Sequence, residues 1–291
     1  MKFEKITEDN IRLLKPYLYA CPHKMCGYSP LVLTMWSDYF DYRYAIENAT
    51  LFLKMRDEDG EQYFFMPVCD VEKGVGLLRA HCRETGDKLQ FFGVGEEYVD
   101  SFCRWLNAKN PLELEKWADY LYDARAMTDL VGKKYNAKRN HINKFYKTYP
   151  DAEFKDFKRA DRDKVLAFLD KYHKNDGTAT YFYDKKEVTL LVENWRDGEY
   201  PGGYMEINGE AVGFTVGEIV GDTLFVHVEK CLREFSGVYE ATTNAFLKRH
   251  VTDSVKYVNR EEDLGLEGLR KSKMSYYPLC LVKKFRIAEN D

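Results

Sequence analysis

No apolar run in this 291-residue sequence approaches the roughly 20 residues that a helix needs to cross a bilayer, so any membrane contact is predicted to be peripheral. Cysteine is present without a pattern: seven residues, an odd number, scattered without paired spacing, exclude a disulfide framework. Cys21, His23 and Cys26 form the one cluster with the look of a metal site, but a second Cys/His pair at finger or ribbon spacing is missing, and no metal is expected. The sequence does not open on a secretory n-region and h-region, and the expectation is a reducing, cytoplasmic location. Positive charge is not in excess either. The balance of 44 Lys and Arg against 48 Asp and Glu, a net charge of −4, argues against a protein that coats nucleic acid generally, so anion binding must come from a local patch.

Aromatics, by contrast, are plentiful, with 22 Tyr and 18 Phe, which suits a large aromatic core or a deep groove. Between residues 50 and 110 the apolar period shifts between strand and helix. Strands are predicted at Leu51–Leu53, Tyr63–Met66 and Leu89–Phe92, with helices near 71–84 and 96–107. A similar order returns after residue 200. Strands at Tyr204–Ile207 and Ala211–Val216 flank Asn208-Gly209, a strong hairpin signal. A strand over Thr223–Glu229, a helix from about Gly237 to Arg249 and a short strand over Val255–Val258 follow. Residues 112–200 read as mainly helical, with no low-complexity linker. The fold class is α/β, with two halves that look like copies of one supersecondary unit, packed closely around a shared cleft. The division is placed at 1–130 and 131–291.

In Thr223–Glu229, alternation puts Phe225, His227 and Glu229 on one face. A right-handed crossover makes this strand the parallel neighbour of Val255–Val258. Ligands of open α/β sheets sit beyond the carboxyl ends of such strands, which here carry Glu229, Lys230, Asn259 and Arg260. The alternative is that Glu229, Arg260 and Asp263 form an ion-pair cluster that satisfies helix ends, and that His227 is a core or rim histidine. A second segment, Leu130–Pro150, has no acid between Asp129 and Asp151 but carries Lys133, Lys134, Lys138, Arg139, Lys144 and Lys147. Aromatic residues among these cations favour phosphate or nucleotide contact over a merely solvated face.

A CoA-dependent acyltransferase would carry an Arg/Gln-x-x-Gly-x-Gly/Ala turn that cradles pyrophosphate at a helix N-terminus. Here Arg233–Tyr239 has different spacing and a bulky Tyr where a small residue is expected, and Gly93-Val-Gly95 alone is a weak signal. CoA binding is not supported by the pattern.

The run Asn259–Pro278, the basic segment Tyr135–Pro150 with Lys138-Arg139-Asn140-His141, and Leu33–Phe40 with Trp36-Ser37-Asp38-Tyr39 together resemble motifs of the phosphatidylglycerol lysyltransferase catalytic (C-terminal) domain family. The resemblance covers about residues 20–285. It implies two tandem GNAT-like acyltransferase domains, similar to the FemABX peptidyltransferases. It also implies transfer of an aminoacyl group from a charged tRNA to phosphatidylglycerol or another hydroxyl or amine acceptor, with possible peripheral contact at an anionic inner membrane face. On that reading Glu229, Asp263, Asn259 and Arg260 form the catalytic set, and His227, Arg270, Lys273 and Tyr276 bind substrate. Lys134, Lys138, Arg139 and His141 hold RNA phosphates. The donor is aminoacyl-tRNA, with acetyl-CoA or another acyl-CoA as the alternative. A non-catalytic anion- or lipid-binding module is the remaining reading.

Overall fold

The computed structural model describes residues 1–175 and 180–290. The chain begins with β1 (Glu4–Lys5), α1 (Ile11–Ala20), α2 (Pro30–Met35), α3 (Ser37–Phe40), β2 (Arg43–Glu47), β3 (Thr50–Arg56) and β4 (Gln62–Phe64). It continues through α4 (Val71–Thr85), β5 (Gln90–Gly95), α5 (Val99–Leu106), β6 (Leu112–Glu113), β7 (Asp119–Asp123), α6 (Ala124–Asp129), α7 (Asn136–Thr148) and β8 (Glu153–Asp156). Then come α8 (Arg162–Asn175), α9 (Thr180–Glu193), β9 (Gly202–Ile207), β10 (Glu210–Val220), β11 (Thr223–Cys231) and α10 (Val238–His250). The last elements are β12 (Tyr257–Asn259), α11 (Glu267–Met274), β13 (Cys280–Val282) and β14 (Lys284–Ala288).

Two compact units result. The first holds Met1–Tyr120, Glu261–Lys273 and Cys280–Asp291, and the second holds Leu121–Arg260 and Met274–Leu279. A cut at 130/131 therefore differs from the observed division on both sides, because β14 pairs antiparallel with both β5 and β6 and so belongs to the first unit. Sequence periodicity carries no information about a partner this distant along the chain.

In the first unit the strand order is β1-β2-β3-β4-β5-β14-β6, antiparallel except where β4 and β5 run parallel at Phe64 and Phe91. Helix α4 makes that crossover. Asp70 caps it by accepting from the Lys73 N–H, and Gly86 in the left-handed conformation ends it. Its Val75, Leu78 and Cys82 are buried at helical spacing. The core is aromatic: Phe52, Phe64, Phe91 and Phe102 are fully buried, and each contributes about 2–3 kcal/mol of burial.

In the second unit β7, β12, β11, β10, β9 and β8 are neighbours in that order. Asn208 and Gly209, both at positive φ, make the predicted tight hairpin between β9 and β10. Strands β11 and β12 run parallel, as the sequence pattern requires, with α10 between them. Burial of β10 on both faces reflects helices packed against it. Ile142 and Phe145 are the buried residues of α7, which packs on α10. The stretch 112–200 is less helical than its composition predicts, since it contains β6, β7 and β8; residues 176–179 of it lie outside the described residues. These strands are short, and β8 carries Lys and Asp at a sheet edge, where alternation is weak.

Candidate active site

Pairing of β11 with β12 stops at Phe225 and Asn259, whereas β11 runs on to Cys231 with only β10 beside it in register. Past that point Glu229 and Arg260 face each other. The Arg260 guanidinium donates to Glu229 Oε2, and the Thr243 hydroxyl on α10 meets Glu229 Oε1. The ion pair is largely buried, with side-chain exposures of 8 % and 11 %. Burial disfavours the Arg260 charge, but Glu229 more than offsets this, and the pKa stays above its ordinary value.

Tyr276 completes the cluster. Arg260 lies 5.0 Å from its ring centroid and the Lys138 ammonium 4.1 Å, so two cations flank one buried ring. Burial pushes the Tyr276 phenol well above its ordinary range, with Arg260 opposing. Lys138 Nζ also sits 3.2 Å from Glu240 on α10. Burial lowers the Lys138 pKa and Glu240 works against that. The Tyr135 hydroxyl, donating to the Tyr276 carbonyl at 3.2 Å, holds this stretch of backbone in place. Nearby on β11, Lys230 pairs with Asp184 at 2.5 Å and lies 4.9 Å from the Tyr172 ring.

The structure thus brings together Glu229, Arg260, Tyr276 and Lys138 from the residues singled out in sequence. Asn259 is fully buried at the end of β12, opposite Leu121 and Phe225. His227 stacks parallel to Phe225, with centroids 6.1 Å apart, and its Nε2 is 3.9 Å from Glu218. Asp263, Arg270 and Lys273 belong to the first unit. There Asp263 accepts from Tyr120 at 2.6 Å and from Arg270 at 2.7 Å. Burial works to raise the Asp263 pKa, but these hydrogen bonds prevail and lower it. Lys273 donates to the Glu262 carbonyl.

The basic segment divides by role. Arg139 donates to the Leu130 and Gly132 carbonyls and to Asn136, closing the chain reversal behind α6. Lys134 lies over the rings of Tyr135 and Tyr277. His141 is exposed, and Lys133, Lys144 and Lys147 are exposed and make no ion pair among the described residues. Sequence reading missed Thr243 and Glu240. The available signal was a polar pair at i, i+3 within the otherwise buried first turns of α10.

Cys26 does not gather with Cys21 and His23; the potential ligand trio among the described residues is Cys26, Asp119 and Glu262. An ammonium group is already there. Lys284 Nζ lies 2.6 Å from Asp119, 3.4 Å from Cys26 Sγ and 3.7 Å from Glu262. The donor set therefore has its cation, and a metal would have to displace a buried lysine.

Mixed sheets, each with one parallel strand–helix–strand step, are the architecture of GNAT-like acyltransferases, and similarity to solved structures gives the same answer. A conserved protein of unknown function from Bacteroides thetaiotaomicron is 27 % identical, with a TM-score of 0.91 and full coverage of both chains. L-PGS from Bacillus licheniformis is 12 % identical, with a TM-score of 0.70 over 96 % of this chain and 92 % of that one. FemX is 10 % identical, with a TM-score of 0.64 over 98 % and 97 %.

Residues 21–288 match the family described as Phosphatidylglycerol lysyltransferase, C-terminal, and the chain belongs to that family. Its fold is the one shared by L-PGS and FemX. An uncharacterized protein of Mycoplasmoides gallisepticum is 24 % identical over 199 residues, a match covering 65 % of this chain and 64 % of that protein, a little under two thirds of its length. No helix among the described residues is long and apolar enough to cross a membrane.

Proposed function

We propose that this chain transfers an aminoacyl group from aminoacyl-tRNA to a hydroxyl or amine acceptor, with the phosphatidylglycerol headgroup as the first acceptor to test. The observation that carries the reading is the buried Glu229–Arg260–Tyr276–Lys138 cluster where β11 and β12 stop pairing. In the reaction the acceptor oxygen or nitrogen attacks the ester carbonyl of the donor and forms the new C–O or C–N bond. The ester C–O bond to the terminal ribose breaks, and the ribose oxygen takes up a proton as the acceptor loses one. Arg260 is suited to stabilise the negative charge that develops on the carbonyl oxygen. Glu229 keeps the guanidinium oriented, and its carboxylate is also the candidate partner for the substrate ammonium. The exposed lysines of α7 are suited to the phosphates of the donor RNA.

The CoA-dependent alternative is disfavoured by the start of α10. Gly237 precedes it at φ +88°, and a Cβ there would lie 2.7 Å from the His141 carbonyl oxygen of α7. Helix α7 thus approaches closely on the Cα side of Gly237, and the Arg233–Tyr239 turn in front of α10 lacks the glycine spacing of a pyrophosphate cradle.

The test is label transfer from charged tRNA, with lipid extract and soluble acceptors assayed side by side. Arg260→Lys keeps the buried charge and avoids stranding Glu229, whereas removal of one partner of such a pair costs about 3–5 kcal/mol. It is expected to lower turnover about 100-fold or more with the fold intact. Parental turnover in Arg260→Lys would overturn the site assignment, and absence of any tRNA-dependent transfer would overturn the donor.

A further inference from the structure

The first unit carries a second charged feature that the transfer chemistry leaves unused. On one face of its sheet the cross-strand register sets Lys5 of β1 opposite Arg43 of β2, and Arg43 opposite Lys54 of β3. Like charges directly opposite on neighbouring strands are destabilising, so a row of three cations across three strands needs a reason. Part of it is neutralised locally. Lys5 pairs with Asp38 at 2.6 Å, and Asp41 accepts from Arg43 at 3.0 Å and lies 3.7 Å from Arg56.

Lys54 is different. Half-buried, it bonds Gln62 Oε1 at 2.9 Å and lies 4.6 Å from the Phe3 ring centroid, with no carboxylate in contact among the described residues. Burial lowers its pKa, and Arg43 and Arg56 act in the same direction, with Asp87 and Asp41 opposing. The three side chains Arg43, Lys54 and Arg56 line a groove of about 510 Å³, with Asp41, His81 and Asp87 also on its walls and Phe3 on its apolar side. The volume suits a small ligand. Two guanidiniums that share Asp41 and one ammonium without a carboxylate partner leave N–H donors that a tetrahedral oxyanion can engage through charge-assisted hydrogen bonds to separate oxygens.

We propose that this groove is a phosphate-binding site built on Lys54, with Arg43 and Arg56 lining it beside the lysine. It recognises the phosphate of a small phosphoester or of a lipid headgroup, and it does not depend on the transfer reaction proposed above. The anion supplies the negative charge that Lys54 lacks, and the cost of the cation row in the free protein is the cost of holding the site ready.

The full chain is titrated with inorganic phosphate and glycerol phosphate at constant ionic strength, by calorimetry and thermal shift. A separate arm uses phosphatidylcholine vesicles with and without phosphatidylglycerol. Lys54→Gln is expected to weaken binding about tenfold, and Lys5→Gln, in the same row but outside the groove, to change it by less than about twofold. Without phosphate, Lys54→Gln should melt at or above the parental temperature, since it removes an uncompensated charge, and this reports directly that it folds. Lys54-dependent binding of the free phosphates assigns a soluble ligand, and Lys54-dependent binding only to the phosphatidylglycerol vesicles assigns the headgroup. Absence of binding in every arm, or equal weakening in Lys54→Gln and Lys5→Gln, overturns the proposal.

Discussion

Lys284 anchors three groups that would each be costly to bury alone, and the result is a titratable core. Burial pushes the Glu262 carboxyl up to about 7; Lys284 lowers it, while Asp119 and Glu261 add to the rise. A carboxyl raised in the folded state contributes stability that is fully present below its unfolded value and is lost as pH rises through the folded one. Glu262→Gln should therefore leave stability near parental at pH 5 and raise it at pH 8 by on the order of 2 kcal/mol. Denaturant midpoints at the two pH values check this, and equal effects at both would remove the titration from the account. Sequence made Glu229, Arg260 and Tyr276 visible because dense polar chemistry stood where strands end. It left the roles of Arg139 and Cys26 illegible, since what each touches is decided by chain reversals and by residues such as Asp119 and Lys284 far away in number.

At the scale of elements, α7 has two sides with separate duties. Ile142 and Phe145 hold it against the second unit's core, and Lys144 and Lys147 stand in solvent. Replacing Lys144 and Lys147 together by Gln should leave the melting temperature nearly unchanged, because exposed lysines that make no ion pair among the described residues contribute within about 0.5 kcal/mol. With the proposed aminoacyl-tRNA donor, the same change should weaken tRNA binding and reduce its salt slope by about 1 for each phosphate that the helix no longer neutralises. Unchanged affinity and slope in filter binding across a salt series would assign the helix a purely structural role. The unit β11-α10-β12 was legible because each part has its own period and the crossover fixes its pairing. The β9–β10 hairpin was legible because Asn-Gly tolerates positive φ at both positions. Strands β6, β7 and β8 were not, being two to five residues long and dependent on neighbours for their identity.

For the molecule as a whole, the duplicated α/β pattern was evident from sequence, but the exchange of chain between its parts was not. Each sheet takes the strand beside its parallel pair from a distant stretch: β14 flanks β5, and β7 flanks β12. Deleting residues 280–291 should expose the edges of β5 and β6 and remove the buried Ile287. The expected result is loss of cooperative unfolding of the first unit, with protease cleavage concentrated in residues 1–120. Protection of that region equal to the full chain's would show that β14 is dispensable.

That same placement reverses the usual order of synthesis and assembly. Domains generally complete themselves from the amino terminus as they leave the ribosome, but here the first sheet has a gap until the strand at 284–288 has been made. Until that strand is in place β5 has an unpaired edge, and an open edge of this kind is a template for pairing with another chain.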